Sequence, residues 1–197
     1  TADFLAATTF GPATESQRAV DMVKRVHTRV VGTADDGRTY SANDPHLLKW
    51  VHIAEVDSFL AAHAKFGEIE LSPEQRDGYV LDMSRIASAL GVIDPPTTVA
   101  ELADQIASYR PELRTSAPAR DAARYLLLTP PLPIYARPVY GLLGAAAVSL
   151  MPLWTRFPLR LPWLPVSERT VVRPAALTLT KTLRWALQPI PVTASEQ

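Results

Sequence analysis

Cysteine is absent from this 197-residue chain. That excludes a disulfide framework, an iron–sulfur cluster, thiolate ligation of a metal, and Cys-x-x-Cys-His attachment of a haem. Glycine is scarce, at 8 residues. No Gly-rich phosphate loop and no Gly-x-Ser-x-Gly elbow occurs, so nucleotide-dependent and serine-hydrolase chemistry have nothing to carry them. Neither sign of charge is in excess: 20 Lys+Arg stand against 20 Asp+Glu. No general attraction to nucleic acid follows. The four histidines are His27, His46, His52 and His63. None forms a His-Glu-x-x-His pair, which argues against a protein-only zinc site. His52 and His63 would stand about 16 Å apart on a straight helix, too far to share one ion. His46 follows a helix start and is expected to face solvent.

Long apolar runs are missing as well. The uncharged stretch from Val139 to Trp154 lies between Arg137 and Arg156 and is interrupted by Gly and Pro. A span needs about 20 apolar residues. A buried helix is the first expectation here. The second is peripheral membrane contact through residues 139–165, helped by Arg156, Arg160, Trp154 and Trp163. No signal-peptide pattern is visible, and a cytoplasmic location is expected, with or without that contact.

Hydrophobic residues make up 47% and charged residues 20%, a globular balance. The length suits one domain, 1–197. The 18 prolines fall mostly after residue 90, so helices there should be short and bent. Periodicity predicts helices throughout: Thr1–Phe10; one capped by Thr14 or Ser16 and running through His27 to about Val31, ended by Gly32; and one capped by Asp44 with Pro45 first, reaching Phe66. Ser72-Pro73-Glu74 opens another, to Leu90-Gly91; Thr97 or Thr98 caps one from Val99 to Tyr109; Ser116-Ala117-Pro118 opens one through Leu128, broken at Pro130. An apolar segment from Val139 to Leu150 precedes an irregular stretch from Pro152 to Pro165. Ser167 then opens a last helix to about Leu187, disturbed at Pro174, before a frayed tail. Asp36-Gly37 marks a turn within a small hairpin.

Two histidines stand out. His27 follows Val20 and Val23 and precedes Val30 and Val31, so it projects from an apolar stripe. His52 sits between Leu48 and Val56-Phe59 in the same way. An imidazole in such a stripe needs a partner, since leaving it bare costs roughly 1–3 kcal/mol. The partner is either an ordinary hydrogen-bonding group or a metal. A lone histidine on its helix, beside a broad apolar surface, suits a haem, which needs one strong protein ligand. Tyr40, Asp44 and Trp50 could support such a site, although helix capping for Asp44 and core packing for Tyr40 and Trp50 are the first expectations. Lys24 and Arg25 are either propionate partners or solvated surface charge.

The residues His27-Thr28-Arg29-Val30-Val31-Gly32 are followed by Gly37, Tyr40, Ala42, Asp44, Pro45, Leu47, Leu48, Trp50, Val51 and His52. Together they resemble the catalytic-domain family of the oxygenase MpaB and the rubber oxygenases (latex clearing proteins). Thr8-Thr9-Phe10-Gly11, Leu90-Gly91-Val92, Tyr109-Arg110-Pro111-Glu112-Leu113 and Thr182-Leu183-Arg184-Trp185 extend the similarity over essentially the whole chain. The resemblance implies an all-α, globin-like helical bundle around non-covalent haem b. It implies dioxygen as co-substrate and cleavage of a carbon–carbon double bond in an apolar, isoprenoid-like or lipid substrate. It further implies that His27 is the iron ligand and that His52 lines the pocket or orients the ligand, with Val23, Val30, Val31, Tyr40 and Trp50 around the cofactor.

One departure bears on catalysis. The family's distal basic and hydroxyl residues come from a helix just upstream of the His27 helix. Only Thr1 or Thr8 remains to match its threonine, and the matching arginine would precede residue 1. The catalytic residues are therefore unassigned, and the chain is expected either to associate with another chain or to lack haem. Two other readings stay open: a non-catalytic lipid-binding or membrane-associated partner protein, and a haem carrier or oxygen sensor.

Overall fold

The computed structural model describes residues 2–129 and 131–187. Thr1, the Pro130 break and the tail expected after Leu187 lie outside the described residues. Helices α1 (Ala2–Phe10), α2 (Ala13–His27), α3 (Pro45–Phe66), α4 (Pro73–Leu90) and α5 (Val99–Tyr109) come first. They are followed by α6 (Ala117–Leu128), α7 (Arg137–Leu150), α8 (Leu153–Arg156), α9 (Pro165–Ser167) and α10 (Arg173–Ala186). A two-stranded antiparallel hairpin, β1 (Val31–Thr33) with β2 (Thr39–Ser41), is the sheet among the described residues. The fold is all-α, as the periodicity predicted. Two compact units are distinguished, one of Thr1–Ala64 and Ile69–Arg114, the other of Lys65–Glu68 and Thr115–Gln197.

The first unit is built on α3, α4 and α5. Ile53 and Val56 of α3, Val80 of α4, and Leu102 and Tyr109 of α5 form one buried cluster. Trp50, Leu60 and Met83 pack against it. Trp50, Ile53, Val56 and Leu60 recur at helical spacing and make one stripe of α3, which is why that helix is held so firmly. Local signals start these helices. The Asp44 carboxylate accepts from the His46 amide at 2.9 Å. Ser72 and Gln75 form a reciprocal capping box. Thr98 accepts from the Glu101 amide. A carboxylate from another helix completes the last of these starts: Asp77 accepts from the Val99 amide at 2.8 Å. Gly91 ends α4 at φ +108°, a conformation that glycine adopts without strain.

Both ends of α2 differ from expectation. Helix α2 opens after Pro12 with no side-chain cap, so neither Thr14 nor Ser16 plays that part. It stops at His27, not near Val31. The Val30 amide turns back to the His27 carbonyl, and Val31 pairs with Ser41 across the hairpin. Two adjacent β-branched residues fit a strand as well as an apolar helix stripe, and the pairing decides. Gly32 is therefore no helix end. It lies opposite Tyr40, and a Cβ there would meet the Tyr40 hydroxyl at 2.6 Å; the ring covers the bare backbone.

In the second unit, α7 packs on α10 and on a π-helical turn, Glu168–Val172. The last helical stretch opens at Pro165, not Ser167, and runs through this turn into α10. The turn is the disturbance that Pro174 announced: proline offers no amide to close an α-type bond, and the preceding residues bond one position further on. Arg156 is 3% exposed and forks onto Glu168, which also accepts from the Leu164 amide at 3.1 Å. Burial opposes ionisation of Glu168. The Arg156 hydrogen bond, the Leu164 amide and the charges of Arg156 and Arg173 outweigh it and hold the carboxyl below its usual range.

Candidate functional site

The two histidines singled out in the sequence occupy different environments in the first unit. His27 is the last residue of α2, half-buried, and its imidazole has no hydrogen-bond partner among the described residues. Val23, one turn earlier, is half-buried, whereas Val30 and Val31 are exposed on the turn and strand that follow. The apolar surface beside His27 is thus made by a helix end, a turn and a strand, not by one helical stripe. Val26 is exposed there too.

His52 lies on the shoulder of the α3 stripe and is 7% exposed. Its Nε2 is buried with no partner among the described residues. Nearly all buried polar atoms are paired, so an orphaned imidazole nitrogen calls for an explanation. Burial drives its pKa down to about 4, and the ring is neutral at pH 7. The unfolded chain takes this proton near 6.5, so stability from this source is complete above about pH 6.5 and drains as pH falls to about 4. The loss is on the order of 3 kcal/mol. Burial pushes the carboxyls of Glu55 and Asp57, on the same helix, upward and so acts in the opposite sense. Comparison of His52→Phe with the parent isolates the histidine: urea melts at pH 7 and pH 4.5 should differ less in the variant. An unchanged difference would remove His52 as the source.

Tyr40 and Trp50 line a different surface. With Asp44, His46, Tyr109 and Glu112 they border a cleft of about 460 Å³, to which His27 and His52 do not contribute. His46 is more than a solvated surface residue. Its Nε2 lies 3.0 Å from both Glu112 carboxylate oxygens, and its Nδ1 lies 3.1 Å from the Tyr109 hydroxyl. That hydroxyl donates to the His46 carbonyl at 2.9 Å, and the two rings stack at 4.5 Å. Carboxylate, imidazole and phenol clasp the start of α3 to the end of α5. The Asp44–His52 block and the Tyr109–Leu113 block, far apart in sequence, are brought together here. Nothing local announces this: Glu112 is 66 positions from His46.

The other candidates are placed as follows. Asp44 caps α3. The Lys24 ammonium donates to the Ala89 carbonyl at 3.2 Å, and Arg25 is exposed. The Thr8 hydroxyl is spent on its own helix, donating to the Phe4 carbonyl at 2.9 Å. No cluster of three His, Asp or Glu suited to a metal ion occurs among the described residues. A single-imidazole cofactor iron needs no such cluster. The donor set fits that demand: His27 offers an imidazole with no partner among the described residues beside exposed apolar residues, and His52 offers a buried Nε2 without a partner among them.

Comparison with known proteins gives one match. The family model described as "ER-bound oxygenase mpaB/B'/Rubber oxygenase, catalytic domain" matches residues 1–185. No curated protein and no solved structure matches the chain.

Proposed function

The chain belongs to the mpaB/rubber oxygenase catalytic-domain family, and on that premise we propose that it is a haem-b-dependent oxygenase cleaving a carbon–carbon double bond in an apolar, isoprenoid-like or lipid substrate. The observation that carries the cofactor is the unengaged imidazole of His27 at an apolar helix end. In this reading His27 holds the iron. His52 sits behind or beside it, kept neutral by burial, and orients the ligand or lines the pocket. Val23, Val30 and Val31 keep water from the iron's surroundings. When bound, the haem supplies the dioxygen chemistry, and the protein supplies position and polarity. Tyr40 and Trp50 act at one remove, from the His46–Glu112 cleft.

Reconstitution of full-length protein with haemin tests this. We expect a Soret band, an unmodified haem b spectrum in pyridine, and product from an unsaturated lipid under air. Haem uptake without product would support a carrier or sensor instead. Absence of any Soret band would end the haem reading.

A membrane-associated reading is favoured by one further observation. Leu153, Phe157, Trp163 and Leu164 are exposed around Arg160 within residues 139–165. Among the described residues no helix is long and apolar enough to cross a membrane. We therefore place any contact at the surface of a bilayer, in keeping with the words "ER-bound" in the family's description.

A further inference from the structure

We infer that the second unit carries its own ligand site, a groove that takes a single-chain amphiphile with an anionic headgroup, such as a long-chain carboxylate. The groove has a volume of about 420 Å³ and is bordered by α6, α7, the loop after α8, and the π-helical turn. That volume falls within the range of ligand pockets, about 300–1,000 Å³. Its walls are mainly aliphatic, from Leu127, Val148, Leu161 and Val172 among others.

Three features point to an occupant. The first is the floor. Gly141 and Gly144 lie on one face of α7, where glycine is a poor helix former. A Cβ at Gly141 would meet nothing within 4 Å, so packing does not require glycine there. The space it leaves open belongs to the groove. At Gly144 the Leu127 side chain already stands at 3.3 Å from such a Cβ, which keeps the slot narrow.

The second feature is charge. Arg124, Arg160 and Glu168 all line the groove. Glu168 is matched by Arg156. Arg124 has only a long, exposed contact to Asp121 at 3.7 Å, and Arg160 makes no ion pair among the described residues. The groove is thus apolar, with one arginine that makes no ion pair among the described residues and a second held only by a long, exposed contact, which complements a hydrocarbon chain ending in an anion.

The third feature is conformation. Arg160 sits at φ +57°, a region that residues with a Cβ rarely adopt. Such strain persists where surrounding structure enforces it, and it collects at binding sites. Here it falls on a residue that lines the groove.

The test is binding of cis-parinaric acid, below its micellar concentration, to the full chain without haem. Its outcome is therefore independent of the His27 reading. The parent should bind with a rise in fluorescence. Gly141→Leu installs a better helix former and fills the floor; it should keep its melting temperature and lose binding at least about tenfold. Arg160→Gly removes the charge and relieves the backbone. It should weaken the acid about tenfold yet leave the methyl ester unchanged. No binding by the parent, equal binding by Gly141→Leu, or an equal loss for acid and ester in Arg160→Gly would each overturn the inference. Binding only to anionic phosphatidylserine vesicles, unaffected by Gly141→Leu, would overturn it in favour of surface association.

Discussion

Full-length protein carrying His27→Ala should take up no tightly held haem, whereas His52→Ala should still bind it, roughly 10–100-fold more weakly. The contrast follows from where the two rings lie. His27 is half-buried at a helix end and engaged with no other described side chain, so an incoming iron need displace no hydrogen bond. His52 is a buried residue of α3, and in the proposed reading it does not itself hold the iron. A ligand nitrogen must be unprotonated; burial guarantees this for His52 down to about pH 4. Titration with haemin, followed at the Soret band, reads both variants. Retained haem in His27→Ala together with loss in His52→Ala would reverse the assignment. Retention in both would dismiss the site. Added imidazole restoring the band in His27→Ala would separate a lost ligand from a lost fold.

Glu168→Gln should destabilise the second unit by about 3–5 kcal/mol. The substitution keeps the side chain's shape and removes its charge. Arg156, 3% exposed, is then left as an uncompensated buried cation. Its Nε is already without a partner, so no other acceptor is at hand. Replacing both members, as Arg156→Met with Glu168→Leu, should recover most of that loss, because neither charge then has to be desolvated. Urea denaturation of the three proteins measures this, and a Glu168→Gln variant within 1 kcal/mol of the parent, taking the threshold from the ~1 kcal/mol of an ordinary substitution, would contradict it. The pH signs agree. With its carboxyl held low in the folded state, the pair's contribution is present above the ordinary value of 4.5 and is lost as pH falls through the lower folded value. It therefore fails at lower pH than the His52 contribution, which drains between about 6.5 and 4.

Features written within a few residues were legible in the chain. Asp44-Pro45, Ser72-Pro73 with Gln75, Thr98 and Ser116 each start a helix through contacts spanning three residues or fewer. Asp36-Gly37 places the hairpin turn for the same reason, with Gly37 at φ +85°. What was misread depends on distant partners. Val30-Val31 extends an apolar stripe by composition, yet the strand at residues 39–41 takes its backbone and ends α2 at His27. His46 is exposed, as its place after the helix start implied, but its partners Glu112 and Tyr109 come from α5 and the turn beyond it and were not legible. Arg156, expected to aid contact with a membrane surface, is instead buried on Glu168, and the proline-rich segment gives no register from which to choose that partner. His27 and His52 were singled out by their apolar neighbours in sequence; around His27 those neighbours belong to a helix end, a turn and a strand.

The π-helical turn at Glu168–Val172 has a consequence for descent. A turn bonded one position further than an α-helix holds one residue more. A relative lacking a single residue there would close the stretch from Pro165 to Ala186 into a regular helix, with α10 turned about 100° relative to α9, taken from the 3.6 residues of an α-helical turn. Aligned with this chain, it would show a one-residue gap inside a helix. Glu168, the first residue of the turn, would mark the point after which equivalent faces no longer share equivalent positions.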